Sequence, residues 1–314
     1  MGQRSKWQQL PTEAINPASL GIDKLSLADM IEVMILDNRC VLEAVRREKD
    51  RIAQGAGILT RAVQEGGRLI FVGAGTSGRL GVLEAAEMPP TFGISRETVQ
   101  AIMAGGRQAV HRAKEGVEDS YAEGARSVRR LRPTRKDAVI GVSASGLTPF
   151  VRGAVTQAQA AGTSVIGLTC APSSELKKLS DVIITLTVGP EVIAGSTRLK
   201  AGTATKVVLN MLTTAAMIRL GKTYGNLMVD VTSSSEKLRD RARRIIGTIT
   251  GLGYDEANAL LGRARWNVKA AIVMQKAGLT RTKALARLRL ADDSVRVAIG
   301  QEAEPTLRKL LRRG

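Results

Sequence analysis

Gly66-Gly-Arg-Leu-Ile-Phe-Val-Gly-Ala-Gly-Thr-Ser-Gly-Arg79 joins a short apolar run to a helical pattern through a glycine-rich turn. Leu69–Val72 carries no polar alternation and reads as a buried strand. Gly73, Gly75 and Gly78 then let the backbone turn sharply into a helix. Such a turn aims backbone N–H groups and the positive end of a helix dipole at one point, which suits a phosphate. Thr76 and Ser77 add two hydroxyls that can bond phosphate oxygens directly.

Outward from this turn, strands and helices alternate. Apolar runs recur at Val99–Met103, Ala138–Val142, Ser164–Thr169 and Val182–Leu186. Helical patterns occupy Gly78–Glu87, part of Arg107–Leu131, Thr148–Ala161, a short piece at Glu175–Leu179, and Thr197–Leu220. Buried strands joined by helices predict an α/β fold: a doubly wound, five-stranded parallel sheet flanked by helices, with ligands at the carboxyl ends of its strands. Before the first strand, Pro11 and Pro17 break an irregular arm. Ser26-Leu-Ala-Asp29 then starts a long helical stretch reaching about Glu65. After Gly221, Tyr224–Val231 reads as a loop or short extended piece. Ser233–Ile246 reads as a helix stopped by Gly247. Short helices follow at Tyr254–Leu261, Asn267–Ala277 and Arg281–Leu290, with Trp266 as core packing, and a basic helix ends the chain.

The composition narrows the function classes. The 314 residues carry 47 Lys and Arg against 29 Asp and Glu, a net charge of +18. From Glu236 onward there are 18 basic and 8 acidic residues, so +10 of that charge sits in the last quarter. The basic positions are spread at helical spacing between apolar ones, the pattern of a solvated helical face. With only 3% aromatic residues, the stacking platforms of single-strand nucleic-acid binders are missing, and nucleic-acid binding is not expected. Two distant cysteines, Cys40 and Cys170, predict no disulfide framework and a reducing compartment. The sequence has no signal-peptide pattern and no apolar run long enough for a membrane span.

Three groups of residues carry chemistry. The turn Gly73-x-Gly75-x-x-Gly78 also fits the dinucleotide fingerprint, but the second strand ends in Ala104-Gly105-Gly106, where that reading needs an acid for the ribose. No cofactor is expected. After the third strand, Ser143, Ser145 and Thr148 repeat the hydroxyl-plus-glycine arrangement. Thr148 reads either as the N-cap before Pro149 or as part of a ligand site. Two such strand ends can converge on one phosphate. The third group is acidic. Glu84 and Glu87 follow the glycine turn, and Met88-Pro89-Pro90 is expected to end that helix. Glu87 would then sit at its C-terminal end, where the dipole disfavours negative charge, a setting for a general acid. Glu118 follows a break at Gly116. The single histidine, His111, reads as a helix-surface residue. Without a Cys or His cluster, no catalytic metal is expected, and acid–base work falls to glutamates, alone or with a lysine.

Taken together, Gly73-Ala-Gly-Thr-Ser-Gly-Arg-Leu-Gly81, Glu87-Met-Pro-Pro-Thr-Phe-Gly93, Glu115-Gly-Val-Glu-Asp119, Ser143-Ala-Ser-Gly146 and Gly195-Ser-Thr-Arg-Leu-Lys-Ala-Gly-Thr-Ala204 resemble the bacterial N-acetylmuramic acid 6-phosphate etherases. Thr12-Glu13, Asn16-Pro17 and Tyr224-Gly-Asn-Leu-Met-Val-Asp230 match as well. The resemblance spans roughly residues 12–290. It implies a flavodoxin-like sugar-isomerase (SIS) domain at 58–221, preceded by an N-terminal arm and helices at 1–57. A linker loop and helix at 222–249 would lead to a small ubiquitin-associated-like helical module with a basic tail at 250–314. It also implies a cytoplasmic homodimer with sites near the subunit interface. The implied reaction cleaves the lactyl ether of the sugar phosphate to N-acetylglucosamine 6-phosphate and D-lactate, in recycling of cell-wall amino sugars. Glu87 would be the proton donor and Glu118 the second catalytic carboxylate. Thr76, Ser77, Ser143, Ser145 and Thr148 would hold the phosphate and sugar, with Ser196, Arg198 and Lys200 lining the site. The chain departs from the family in having Leu147 where Arg is usual, and Glu84-Ala-Ala-Glu87 where Asp-Ala-Ser-Glu is usual. Both departures bear on substrate choice.

Two other readings share this fold. Glucokinase regulatory proteins bind sugar phosphates without turnover, but they use two such domains, and this chain has room for one. A sugar-phosphate isomerase is the other, and the etherase motifs give it little support.

Overall fold

The computed structural model describes residues 10–231 and 235–300. By contacts these divide into two units, 10–89 with 94–216, and 90–93 with the described residues from 217 onward.

In the first unit the arm forms short 3-10 turns at Pro11–Glu13, Pro17–Ser19 and Ile22–Lys24. The two prolines start turns here rather than only breaking them, since a fixed φ and a missing N–H suit a first helical position. The single long helix expected next is three: α1 (Leu27–Asn38), α2 (Cys40–Arg47) and α3 (Lys49–Gln64). Ser26 caps the first as expected, its Oγ accepting from the Asp29 N–H. The breaks at Arg39 and Glu48 contain neither glycine nor proline. At the first, the Arg39 N–H bonds back to Leu36 and the Cys40 thiol donates to Val188, so a tertiary contact fixes the bend.

The sheet matches the expectation closely. Its strands are β1 (Leu69–Gly73), β2 (Val99–Met103), β3 (Ala138–Val142), β4 (Ser164–Thr169) and β5 (Val182–Thr185). All are parallel, in the order β2-β1-β3-β4-β5. The helices between and after them are α4 (Gly75–Phe92), α5 (Gly106–His111), α6 (Tyr121–Arg130), α7 (Pro149–Ala160) and α8 (Lys200–Arg219). Ile70, Val72, Val139 and Val165 point to one face and pack with Phe150, Val151 and Val155 of α7. On the other face Gly55 of α3 lies against Ile166 and Leu212, and Gly81 of α4 against Phe71. Both faces are therefore dry, which is why the strands carry no polar alternation. The strand order reverses between β1 and β3, and in open sheets of this kind the crevice beyond those two strand ends receives ligands.

The helix α4 departs from expectation. It runs through Pro89 and Pro90 to Phe92, and Gly93 (φ +63°) ends it. Prolines near a helix end remove few hydrogen bonds. Burial of Met88 and Phe92 holds this last turn in place. Glu87 therefore has a further turn behind it, and the dipole argument made for it does not apply.

The second unit contains a short hairpin, β6 (Thr223–Tyr224) with β7 (Leu227–Met228), and then five helices. These are α9 (Glu236–Thr250), α10 (Tyr254–Arg263), α11 (Val268–Ala277), α12 (Arg281–Leu290) and α13 (Val295–Ala298). The expected helix start at Ser233 lies outside the described residues; Ser235 caps α9. Gly247 does not stop that helix. Gly251, at φ +81°, does, because only there does the chain adopt a left-handed conformation. The helices enclose their own core, including Ile246, Leu261, Ile272 and Leu288. Trp266 packs against this core, as expected, but is half-buried, with the guanidinium groups of Arg239 and Arg243 5.1 and 5.4 Å from its ring. Most of the expected basic terminal helix lies outside the described residues. No helix among the described residues is long and apolar enough to cross a membrane.

Candidate functional site

The carboxyl ends of β1, β2 and β3 open into one cavity of about 360 Å³. Its wall includes Thr76, Ser77, Ser143, Ser145, Thr148 and Glu118. These six expected site residues come from three separate stretches of sequence, and the sheet brings them together at the point where strand order reverses.

The loop after β1 is built as the sequence suggested. A Cβ on Gly73 would stand 2.6 Å from the Gly78 nitrogen, so the strand end and first helical turn touch backbone to backbone. Gly75 adopts φ +53°. The first helical bond runs from the Gly78 N–H to the Ala74 carbonyl, which leaves the Thr76 and Ser77 N–H groups in the open first turn.

The loop after β3 is a hydroxyl cluster. The Ser143 and Thr148 hydroxyl oxygens are 2.7 Å apart, and those of Ser143 and Ser145 are 3.4 Å apart. The Ser143 Oγ also accepts from the Gly146 N–H at 3.0 Å. Gly146 has φ +68°, and a Cβ there would meet Ser174 Oγ at 2.0 Å, so no other residue fits. Thr148 does occupy the N-cap position of α7, but its side chain does not cap the helix. Its hydroxyl turns to Ser143 instead. Of the two readings of Thr148, capping accounts for its position and the hydroxyl cluster for its side chain.

Glu118 lies on a 3-10 turn, Val117–Asp119, that follows Gly116 at φ +77°. Two glycines fix this turn against the hydroxyl loop. In α6, a Cβ on Gly124 would be 1.9 Å from the Phe150 carbonyl oxygen; in α7, one on Gly153 would be 2.0 Å from that of Tyr121. The two helices thus meet at backbone distance. The Glu118 turn leads into α6, and the Ser145–Thr148 loop leads into α7.

Four expected residues do not line the cavity. Glu87 is exposed on α4. Ser196 is half-buried between Gly195 and Thr197, which do line it. Lys200 is turned away: its side chain is 4% exposed, with Nζ 2.7 Å from Asp37 Oδ1. Its backbone N–H and that of Ala201 donate to Glu191, a carboxylate that burial pushes upward in pKa. Arg198 is exposed and also outside the wall. Leu147 is half-buried and does not reach the cavity either. Glu84 is buried on the inner side of α4, where Asn210 and Thr213 donate to its two oxygens at 2.8 and 2.5 Å. Burial raises its pKa against those bonds.

Along most of their length, known proteins share this sequence. Residues 51–159 match the model of the glucokinase regulatory protein N-terminal SIS domain, and residues 118–215 the SIS domain model. The N-acetylmuramic acid 6-phosphate etherase of Rubrobacter xylanophilus is 47% identical over 95% of this chain and 98% of its own. That of Salinibacter ruber is 49% identical, over 93% of this chain and 94% of its own. The chain belongs to the N-acetylmuramic acid 6-phosphate etherase family. Similarity to these etherases runs through both units, whereas the regulatory-protein model covers only part of the first.

The structure adds wall residues to which the sequence reading gave no role in the site. Thr12 and Glu13, from the arm, line the cavity more than sixty residues ahead of the glycine turn, and no spacing in the sequence links them to it. Arg79 lines it from within the quoted turn. Its guanidinium donates to the Ala109 and Val110 carbonyls at 2.8 and 3.0 Å, closing the end of α5. Its place beside Gly78 was a signal that could have found it. Among the described residues no three His, Cys, Asp or Glu side chains come together to hold a metal ion.

Proposed function

We propose that this chain is a carbon–oxygen lyase that cleaves the D-lactyl ether of N-acetylmuramic acid 6-phosphate. The observation that carries the reading is the single cavity at the β1/β3 switch point, where two neutral hydroxyl loops stand with Glu118. The hydroxyls of Thr76, Ser77, Ser143, Ser145 and Thr148, with N–H groups of the first turn of α4, hold the phosphate and sugar. The opened sugar presents an aldehyde at C1, which acidifies the proton on C2. A carboxylate takes that proton, the C3–O bond breaks, and an acid protonates the departing lactate oxygen. Water then adds across the C2–C3 double bond, with hydroxide to C3 and a proton to C2, giving N-acetylglucosamine 6-phosphate and D-lactate. Glu118 and Glu87 are the two carboxyl groups, with Glu87 the proton donor. Each such group contributes roughly 10²–10⁴-fold. The reading leaves Lys200 as an internal anchor and gives Ser196 a place at the cavity rim.

Because Glu87 is exposed and outside the cavity of a single chain, the reading ties it to a site completed by a second copy. An unpartnered apolar stripe supports a homodimer: Leu27, Ile31, Met34 and Ile35 of α1 recur at helical spacing and are 77, 57, 37 and 54% exposed. The reading takes the protein as cytoplasmic, as its free cysteines suit.

Release of D-lactate from N-acetylmuramic acid 6-phosphate, without added metal or nucleotide, tests the proposal. Glu87→Gln should abolish turnover while the thermal transition stays in place, and Ile31→Asp should give monomers in sedimentation together with loss of activity. Binding of the sugar phosphate without lactate release would favour a regulatory protein instead.

A further inference from the structure

The arm is held over the cavity by contacts of its own. The Asn16 side chain, buried, donates to Asp37 at 2.9 Å and to the Pro190 carbonyl at 3.2 Å. The same Asp37 oxygen receives Lys200. The Gly195 N–H donates to the Thr12 carbonyl, and Glu13 lies against Gly195, where a Cβ would be 3.1 Å from its Oε2. These contacts set Thr12 and Glu13 in the cavity wall.

Thr12 is only 1% exposed, yet its Oγ1 has no hydrogen-bond partner among the described residues. Burying a hydroxyl without a partner is unfavourable, and a methyl of the same shape would serve packing better. Thr12 lines the polar cavity, and a buried donor in that wall that bonds nothing in the fold is poised for something the cavity takes up. Glu13 beside it indicates what. A carboxylate repels a phosphate dianion, but accepts from O–H and N–H groups. The hydroxyl loops after β1 and β3 carry no such charge.

We infer that Thr12 and Glu13 are binding residues for the uncharged body of the sugar, its hydroxyl and acetamido groups, while the strand-end loops take the phosphate. The inference rests on the sugar-phosphate reading above and assigns the arm a part in substrate choice.

Calorimetric titration with N-acetylglucosamine 6-phosphate and, separately, inorganic phosphate tests it on the full chain. Thr12→Val should weaken the sugar phosphate by about 5- to 20-fold, the scale of one lost hydrogen bond, and leave inorganic phosphate unchanged. Its thermal transition should stay or rise, because the unpaired hydroxyl is gone. Thr12→Ser should bind like the parent. Glu13→Ala should weaken the sugar phosphate but bind inorganic phosphate equally or more tightly. Unchanged sugar-phosphate binding in Thr12→Val, or equal loss for both probes, overturns the assignment. Failure of the parent chain to bind the sugar phosphate overturns it too. Parent protein that binds yet releases no D-lactate sinks the etherase reading and leaves the arm's role standing.

Discussion

Gly153→Ala adds one methyl group at the closest approach between α6 and α7. The new Cβ would sit 2.0 Å from the Tyr121 carbonyl oxygen, about 1.4 Å short of ordinary van der Waals contact, which begins at 3.4 Å. A backbone carbonyl in a helix cannot swing aside, so α6 must move as a body. Tyr121 opens α6, and the turn carrying Glu118 lies immediately before it. That turn packs on α7, and Val117 lies against the same core. A shift of order 1 Å at the helix start therefore displaces Glu118 from the hydroxyl loop by a similar distance. Misplacement on that scale costs about 100-fold in rate. Stability responds less. Overpacking costs about 1–3 kcal/mol, and alanine regains up to about 1 kcal/mol of helix propensity. The expected result is a D-lactate release rate down about two orders of magnitude, with a net loss of about 0–3 kcal/mol in urea unfolding. Gly67→Ala is the control. Its Cβ would meet the Lys136 carbonyl at 1.9 Å, at the amino-terminal end of the sheet, far from the strand ends that line the cavity. It should destabilise at least as much and leave the rate nearly intact. Full activity in Gly153→Ala, or an equal activity loss in Gly67→Ala, would refute the argument that the helix contact positions Glu118.

Three further outcomes follow from groups outside the cavity. Asp137 is buried, which pushes its pKa up, but Arg68 and the Thr134 and Arg68 N–H groups outweigh that and hold it below 3.8. Its stabilising effect is present above that unfolded value and fades as pH falls through the folded one. Asp137→Asn should thus cost about 2 kcal/mol in urea unfolding at pH 7, with the gap to the parent closing below about pH 4. Glu84 behaves oppositely: its folded pKa is raised above 4.5 by burial, so the parent loses stability as pH climbs from 4.5 through the folded value. Glu84→Gln does not titrate, and its stability relative to the parent should improve over that window in pH-dependent melts. The Cys170 thiol is pushed up to about 12 by burial and by Glu191, so iodoacetamide at pH 8 should label it only after unfolding.

What the sequence made legible depended on how local the cause was. The strands could be placed nearly to the residue because burial on both faces leaves uninterrupted apolar runs such as Leu69–Val72 and Ala138–Val142. The two hydroxyl loops were legible because glycine marks a backbone requirement at its own position, and Gly146 indeed has no space for a Cβ. The turn that carries Glu118 was legible through Gly116 for the same reason, while the role expected of Glu118 came from the family resemblance. Helix ends set by tertiary burial were misread: Pro89 and Pro90 look like a stop, but Met88 and Phe92 keep the turn wound. Lys200 looked like a site residue because a lysine follows the fifth strand. Its partner Asp37 lies 163 residues earlier, and no periodicity reports such a pairing. Thr12 was invisible as a site residue for the same reason. Its significance lies in a missing bond, which only packing can reveal.

The cradle's neutrality connects these observations. A phosphate could be held by lysine or arginine, yet the loops after β1 and β3 offer hydroxyls and backbone N–H groups, and Arg79 is tied to the α5 carbonyls. In the proposed reaction a carboxylate must be free to take the C2 proton and a carboxylic acid free to give one to lactate. In so small a cavity a cation on either strand-end loop would favour the charged form of Glu118, and the ammonium group the wall does include, Lys114, is exposed on the stretch before Glu118 and not on those loops. Oriented dipoles hold the anion with a field that falls off faster than that of a full charge. In the proposed reaction, proton transfer at Glu118 and anchoring by neutral strand-end loops are therefore one arrangement. Lys200, which opens α8 after β5, is likewise kept out of the wall, buried and locked to Asp37.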